Sequence, residues 1–133
     1  MEQRRSFTLE EADRQVSWLE EQVRRIAADR GHLARLRGEL DVILRKGRSN
    51  GHAGVNQELA AKRRETEGVA DRLAQLTQEV HDRGIILRDP DRGLADFPSL
   101  LEGREVCLCW LLGEERIGFW HEVDVGFAGR QAL

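Results

Sequence analysis

The sequence predicts an α+β protein in which a long antiparallel helical hairpin precedes a small antiparallel β-sheet. Before residue 84, two stretches repeat apolar residues every three or four positions, which is typical of amphipathic helices. A turn-rich segment, GRSNGHAG (47–54), separates them. From residue 84 onward, Gly and Pro divide the chain into short runs that favour strands. Because 133 residues suit one domain, we expect a single domain over 1–133.

The first helix is predicted over 8–46. Thr8 and Glu11 have capping-box spacing, in which each side chain accepts from the other residue's backbone N–H. Phe7 precedes the cap, at the position of a hydrophobic staple. One apolar stripe then follows the helix: Leu9, Ala12, Val16, Leu19, Val23, Ile26, Leu33, Leu36, Leu40 and Ile43.

The second helix is predicted over 55–83, where Gly84 suits the position after a helix end. The short linker makes the two helices an antiparallel hairpin. A helix of about 38 residues would be about 57 Å long, whereas a sheet of short strands covers about 20 Å. Much of each stripe would then face water, so we expect a homodimer through the hairpin.

The remaining residues, 84–133, predict a β-sheet part with a Gly-rich tail. The expected strands are IILR, LADF (ending before Pro98), EVCLCWLL and RIGFWHEV. A two-residue turn at Gly113-Glu114 would pair Val106 with His121 and Leu108 with Phe119. In that register Phe119 and His121 face the helices, while Cys107, Cys109, Trp120 and Glu122 face away.

Charge and composition argue against several classes of function. The net charge is −3; residues 84–133 carry five Lys and Arg against nine Asp and Glu, so no basic surface for nucleic acid is expected. The N-terminal stretch lacks the apolar core of a signal peptide, and no run approaches the roughly 20 apolar residues of a membrane span. Two cysteines do not make a disulfide framework. We expect a cytoplasmic protein with no membrane or nucleic-acid partner.

The stretch WHEVDVGFAGR (120–130) concentrates the residues that carry chemistry. His121, Glu122 and Asp124 form a candidate metal cluster, with Asp89, Asp91 and Asp96 as additional carboxylates nearby. Carboxylates with one His suit Mg, Mn or Fe. Strand alternation, however, separates His121 from Glu122 and Asp124, which favours a structural role unless the chain bulges at Glu122.

Two further motifs have structural alternatives. Cys107 and Cys109 would share one strand face, and the sequence favours buried apolar roles because no two further soft ligands have metal-site spacing. The segment GFAGR (126–130) would present Arg130 either to an anion or to one of the acidic residues of this part of the chain.

Four stretches together resemble the bacterial family called domain of unknown function 2203: FTLEEA, DPDRGLADFPSL, GREVCLCWLLGE and FWHEVDVGFAGR. The resemblance covers nearly the whole chain and is densest over 89–130. It implies no activity. It implies that a site, where present, draws on eight residues: Asp89, Asp91, Asp96, Glu114, His121, Glu122, Asp124 and Arg130. Of these, we assign His121, Glu122 and Asp124 to a metal and the other five to ligand binding.

These observations leave three hypotheses of function. The first is a non-catalytic, homodimeric interaction or scaffold module whose acidic sheet surface binds a protein partner. The alternative is a protein, or a metal-dependent enzyme, that binds a divalent metal or small ligand around His121. Nucleic-acid binding is third and rests on Arg content alone. No catalytic residue can be named, since the sequence holds no activated nucleophile and no phosphate loop.

Overall fold

The computed structural model describes residues 6–50 and 53–133 and confirms the predicted α+β architecture. Two long helices precede a five-stranded antiparallel sheet whose strands lie side by side in chain order. The helices are α1 (Leu9–Asn50) and α2 (Ala53–Asp82). The strands are β1 (Ile86–Asp89), β2 (Leu94–Leu101), β3 (Arg104–Leu111), β4 (Phe119–Glu122) and β5 (Gln131–Ala132).

The chain divides into two compact units. One contains the residues up to Ala27 together with Leu76–Leu133, and the other contains Ala28–Gln75. Both helices extend further into the predicted linker (47–54) than expected, and residues 51–52 of that linker lie outside the described residues.

The predicted capping box is present at the start of α1. The backbone N–H of Glu11 donates to Oγ1 of Thr8, and the N–H of Thr8 donates to Oε1 of Glu11, each at 3.1 Å. Phe7 is buried at the staple position. The cap satisfies backbone donors that have no partner within the helix, so it fixes where α1 begins.

We expect Thr8→Ala to lower the free energy of unfolding by about 1 kcal/mol, because the Glu11 N–H loses its acceptor. Thr8→Ser keeps the hydroxyl and should cost only a few tenths. Urea unfolding followed by circular dichroism measures both variants. Equal losses would show that the hydroxyl does not stabilise α1.

In the unit Ala28–Gln75, α1 and α2 pack through a small apolar cluster. Leu33, Leu36 and Val69 are buried there. The Arg72 guanidinium donates two hydrogen bonds, of 2.8 and 2.9 Å, to the Asp29 carboxylate. This hydrogen bonding is the main reason why the pKa of Asp29 is lowered. These contacts hold the helices antiparallel.

The apolar stripes are largely covered within one chain. Among the α1 stripe residues named above, Leu9 is exposed, Leu40 is half-buried and the others are buried. In α2, Val69, Leu76 and Val80 are buried, and Leu59 and Leu73 are half-buried. The apolar stripes therefore do not need a second chain to cover them, contrary to what the sequence suggested. The homodimer stays a prediction.

One face of the sheet, here called the helix face, packs against Phe7, which lies just before α1. It carries Phe97 and Ser99 of β2 with Leu108 and Trp110 of β3. Phe7 packs edge-on against Phe97 with ring centroids 5.2 Å apart, and its carbonyl accepts from Oγ of Ser99 at 2.6 Å. This is the apolar centre of the sheet.

The turn between β1 and β2 requires glycine at position 93. Gly93 has φ +71°, and a Cβ there would lie 2.5 Å from Cβ of Leu112 and 3.1 Å from Cγ1 of Val23. Asp89 accepts from the backbone N–H of Asp91 and of Arg92 at 3.0 and 3.1 Å. The Asp89 carboxylate thus closes this turn.

The prediction that the second strand ends before Pro98 is wrong, since β2 continues to Leu101. The Pro98 carbonyl accepts from the N–H of Phe7 at 2.7 Å, on the side of β2 away from β3. The missing N–H of a proline lies on the same side as its carbonyl in a strand, so Pro98 removes no bond from the β2–β3 ladder.

The predicted β3–β4 register is also wrong. Cys107 pairs with His121 and Leu108 with Trp120, one residue away from the expected pairing. The connection is not a two-residue turn: Trp110 Nε1 donates to the Glu114 carbonyl at 2.8 Å, and the Ile117 N–H donates to Oδ1 of Asp13 at 2.7 Å. A one-residue shift moves every side chain of β4 to the other face.

Candidate functional site

The corrected register brings three residues that can bind metal to the sheet face opposite the helix face, here called the site face. Asp96 pairs with Cys109 across β2–β3, and Cys107 pairs with His121 across β3–β4. Alternation then places Asp96, Cys107, Cys109 and His121 on one face. One ligand atom each of Asp96, Cys107 and His121 lies within 4.8 Å of the other two.

This cluster, here called the Asp–Cys–His cluster, is buried. The exposed fractions are 1% for Asp96, 3% for Cys107 and 1% for His121. Burying a carboxylate is costly unless it is paired and hydrogen-bonded. Its partners therefore decide what the cluster can do.

The hydrogen bonds of His121 define its protonation. Nδ1 lies 2.8 Å from the Glu122 carbonyl oxygen, which only accepts, so Nδ1 carries a proton. Nε2 lies 2.9 Å from Oδ1 of Asp96. A further proton must lie between these two atoms, carried by the imidazole or by the carboxyl group. A metal cation could take the place of that proton.

Arg88 of β1 supplies the positive charge beside the cluster. Its Nε donates to Oδ2 of Asp96 at 2.8 Å, and this bond is the first cause that raises the pKa of Arg88. Cys107 contributes less than Asp96 to the raised pKa of Arg88. Both oxygens of Asp96 are thus partnered, one by His121 and one by Arg88.

Cys109 differs from Cys107 although the two share a face. Burial, followed by the negative charge of Asp96, raises the pKa of the Cys109 thiol to about 11. Cys109 therefore stays a thiol near neutral pH, and it is not part of the Asp–Cys–His cluster. It is the natural control for Cys107.

The geometry does not form a Cys–His–Asp catalytic relay. Such a relay needs one imidazole nitrogen on the thiol and the other on the carboxylate. Here Nδ1 of His121 bonds a backbone carbonyl, and Nε2 faces Asp96. The arrangement instead matches a metal-binding histidine, whose second N–H is usually held by a carbonyl or carboxylate.

The other residues predicted for a site lie apart from this cluster or have structural contacts. Glu122 pairs with Arg104 at 3.1 Å, on the opposite face from His121. Asp124 follows β4 and lines a cleft with His121. Asp89 closes the β1–β2 turn, where Asp91 contributes its backbone N–H.

Glu114 and Arg130 form an ion pair that fastens the tail. Nη2 of Arg130 lies 2.6 Å from Oε1 of Glu114, which also accepts from the Leu111 N–H at 2.7 Å. The Arg130 guanidinium lies 4.1 Å from the centre of the Phe119 ring. The sequence left open whether Arg130 binds an anion or pairs with an acidic residue of the chain; this contact is the second of these.

A family model described as "Uncharacterized conserved protein (DUF2203)" matches residues 5–133. The chain belongs to this family. The match confirms the resemblance found in the sequence, and the description names no activity. Comparisons with curated proteins and with solved structures gave no match.

In this DUF2203 protein, two clefts flank the Asp–Cys–His cluster. The larger, of about 440 Å³, is bordered by Arg88 and Cys107, and the smaller, of about 290 Å³, by Arg88, Asp96 and His121. Val123 lines both clefts. A ligand in either cleft would therefore reach Arg88 and one side of the cluster.

Sequence reasoning missed Arg88 and Cys107 in this DUF2203 chain. Cys107 was separated from His121 because the assumed two-residue turn shifted the register. The available signal was the polar run between Gly113 and Gly118, which suits a longer connection than a tight turn. Arg88 gave no signal, since only the pairing of β1 with β2 brings it to Asp96.

Neither described helix could cross a membrane. Within 6–50 and 53–133, neither helix combines the length and the apolar composition that a crossing needs.

Proposed function

We propose that this DUF2203 protein binds one divalent transition-metal ion, preferably zinc, through Asp96, Cys107 and His121. The observation that carries the proposal is the buried convergence of three different ligand atoms within 4.8 Å. Sulfur, imidazole nitrogen and carboxylate oxygen together suit zinc. The metal differs from the Mg, Mn or Fe suggested by the sequence because a thiolate replaces Glu122 and Asp124.

The distances support such a site after a small adjustment. A tetrahedral zinc ion holds its N and O ligand atoms about 3.4 Å apart. Nε2 of His121 and Oδ1 of Asp96 are now 2.9 Å apart, so they would separate by about half an ångström. The Nδ1 bond to the Glu122 carbonyl already orients the ring and leaves Nε2 for the metal.

The charges also support a cation. The Asp96 carboxylate and a Cys107 thiolate supply two negative charges, while Arg88 supplies one positive charge. Arg88 opposes the cation, yet it also holds Oδ2 of Asp96 and leaves Oδ1 toward His121. Three protein ligands leave a fourth coordination position, as in zinc sites that bind water or substrate.

The test is metal titration of the full chain, purified without affinity tag or chelator and kept reduced. We expect zinc to bind at one ion per chain. Cobalt, as a spectroscopic substitute, should give a thiolate-to-cobalt charge-transfer band that saturates at one equivalent. Sub-stoichiometric zinc together with the absence of a saturable cobalt band would contradict the proposal.

The homodimeric interaction module remains a separate prediction. No contact within the described residues favours it over metal binding, and the covered stripes remove its first argument. Sedimentation of the full chain at micromolar concentration tests the dimer, and it leaves the metal proposal unaffected.

A further inference from the structure

We propose that the larger cleft binds a small monocarboxylate with a short apolar tail, whose head group is held by Arg88 and fills the fourth coordination position of the metal. This inference rests on the proposed metal site and names the class of ligand that the site would take. Three features support it: the size and lining of the cleft, the position of Arg88, and the charge of the metal-bound cluster.

The cleft has the size and lining of a small-molecule site. Its volume of about 440 Å³ falls within the ordinary range for ligand pockets. Arg88 and Cys107 border the cleft, so a bound molecule would lie beside both the Arg88 guanidinium and the Asp–Cys–His cluster. The apolar part of the lining consists of Ile86, Pro98, Leu100, Val106 and Val123. Ser6, Ser99 and Glu105 also line the cleft, and the apolar part suits a short hydrocarbon tail.

Arg88 can hold an anion without releasing Asp96. Its Nε is used by Asp96, whereas a guanidinium has five N–H donors in a planar fork. The side chain is 43% exposed and borders both clefts, so part of the fork faces solvent in the cleft. Arg binds carboxylates with strong, charge-assisted hydrogen bonds.

The charge of the loaded cluster favours a monoanion. A divalent cation with Arg88 carries three positive charges, and Asp96 with a Cys107 thiolate carries two negative charges. One positive charge remains among these four groups, and a monocarboxylate neutralises it. Glu105 also lines the cleft, but it is exposed, so solvent and salt screen its charge. A phosphate dianion would overcompensate that single charge, and it has no hydrocarbon part to cover Ile86, Leu100 and Val123.

The experiment uses cobalt-loaded full-length protein and two probes of the same shape. 3-Methylbutanoate carries the carboxylate, and 3-methylbutanamide is its neutral counterpart. We expect 3-methylbutanoate (below, the butanoate) to change the visible spectrum of the bound cobalt in a saturable manner, and 3-methylbutanamide (the amide) to leave that spectrum unchanged. An equal response to both probes, or no response at saturating butanoate, would overturn the inference.

Variants test the role of each wall. Arg88→Gln should weaken butanoate binding about 10-fold or more, because a charged hydrogen-bond partner is lost. Arg92→Gln is the matched control, since Arg92 lies over the Phe127 ring at 4.7 Å and does not line the cleft. Unchanged butanoate affinity in Arg88→Gln would contradict the assigned head-group position.

Leu100→Asp covers the case in which Arg88→Gln disturbs Asp96. Leu100 is 57% exposed and lines the cleft, so its replacement should preserve folding and cobalt binding while repelling the butanoate. Unchanged butanoate affinity in this variant would also overturn the proposal. If cobalt does not bind at all, the proposed function fails and this inference fails with it. If cobalt binds with its charge-transfer band but ignores butanoate, only this inference fails.

Discussion

Asp96→Ala should lower the free energy of unfolding by about 3 kcal/mol, because it removes the shared hydrogen-bond partner of Arg88 and His121. His121 would keep a buried Nε2 without a hydrogen-bond partner, and Arg88 would lose its carboxylate. Breaking a buried pair by removing one member usually costs about 3–5 kcal/mol. The low end applies because Arg88 is 43% exposed and can turn to water.

Asp96→Asn is the matched control for this prediction. An asparagine can accept from Nε of Arg88 through its oxygen and donate from its amide nitrogen to Nε2 of His121. We therefore expect a loss of only about 1 kcal/mol. Urea unfolding of metal-free protein measures both variants. Equal losses for Ala and Asn would show that the hydrogen bonds of Asp96 do not stabilise the sheet.

The second large effect is on metal affinity. Cys107→Ser and Asp96→Asn should each weaken zinc binding by about 100-fold or more. Removing an outer partner of a metal ligand typically costs 10–100-fold, and these changes remove the ligands themselves. Competition with a chromophoric chelator measures the dissociation constant. Cys107→Ser should also abolish the thiolate-to-cobalt band.

Cys109→Ser controls for the loss of a buried sulfur from the same face of the same strand. Because Cys109 lies outside the cluster and stays a thiol, its substitution should leave zinc affinity and the cobalt band within a few-fold of the native protein. Loss of the band in Cys109→Ser but not in Cys107→Ser would show that the ligand set is wrong.

The helices and the order of the elements could be predicted because their signals are local. The capping box at Thr8 and Glu11 depends on a spacing of three residues, and the predicted bonds are present. The apolar stripe of α1 depends on positions three or four apart. Such patterns need no knowledge of distant partners.

The site could be predicted only in part because it depends on register. His121 was singled out, but its partners lie on two other strands, 14 and 25 positions earlier at Cys107 and Asp96. An error of one residue in the β3–β4 pairing moved His121 to the opposite face. The long connection is fixed by Asp13 of α1, which no local pattern around Ile117 reveals.

The bond from the Ile117 N–H to Asp13 has a consequence for how the chain acquires its fold. It joins positions 104 apart, and the bond from Ser99 to Phe7 joins positions 92 apart. The helices can form early because their backbone hydrogen bonds are local, and the Asp29–Arg72 pair closes a shorter loop of 43 positions. The sheet can settle against α1 only after a loop of about a hundred residues has closed, which is slow and entropically costly. During synthesis, Phe7 therefore cannot form its contact with Ser99 of β2 until about ninety further residues have left the ribosome.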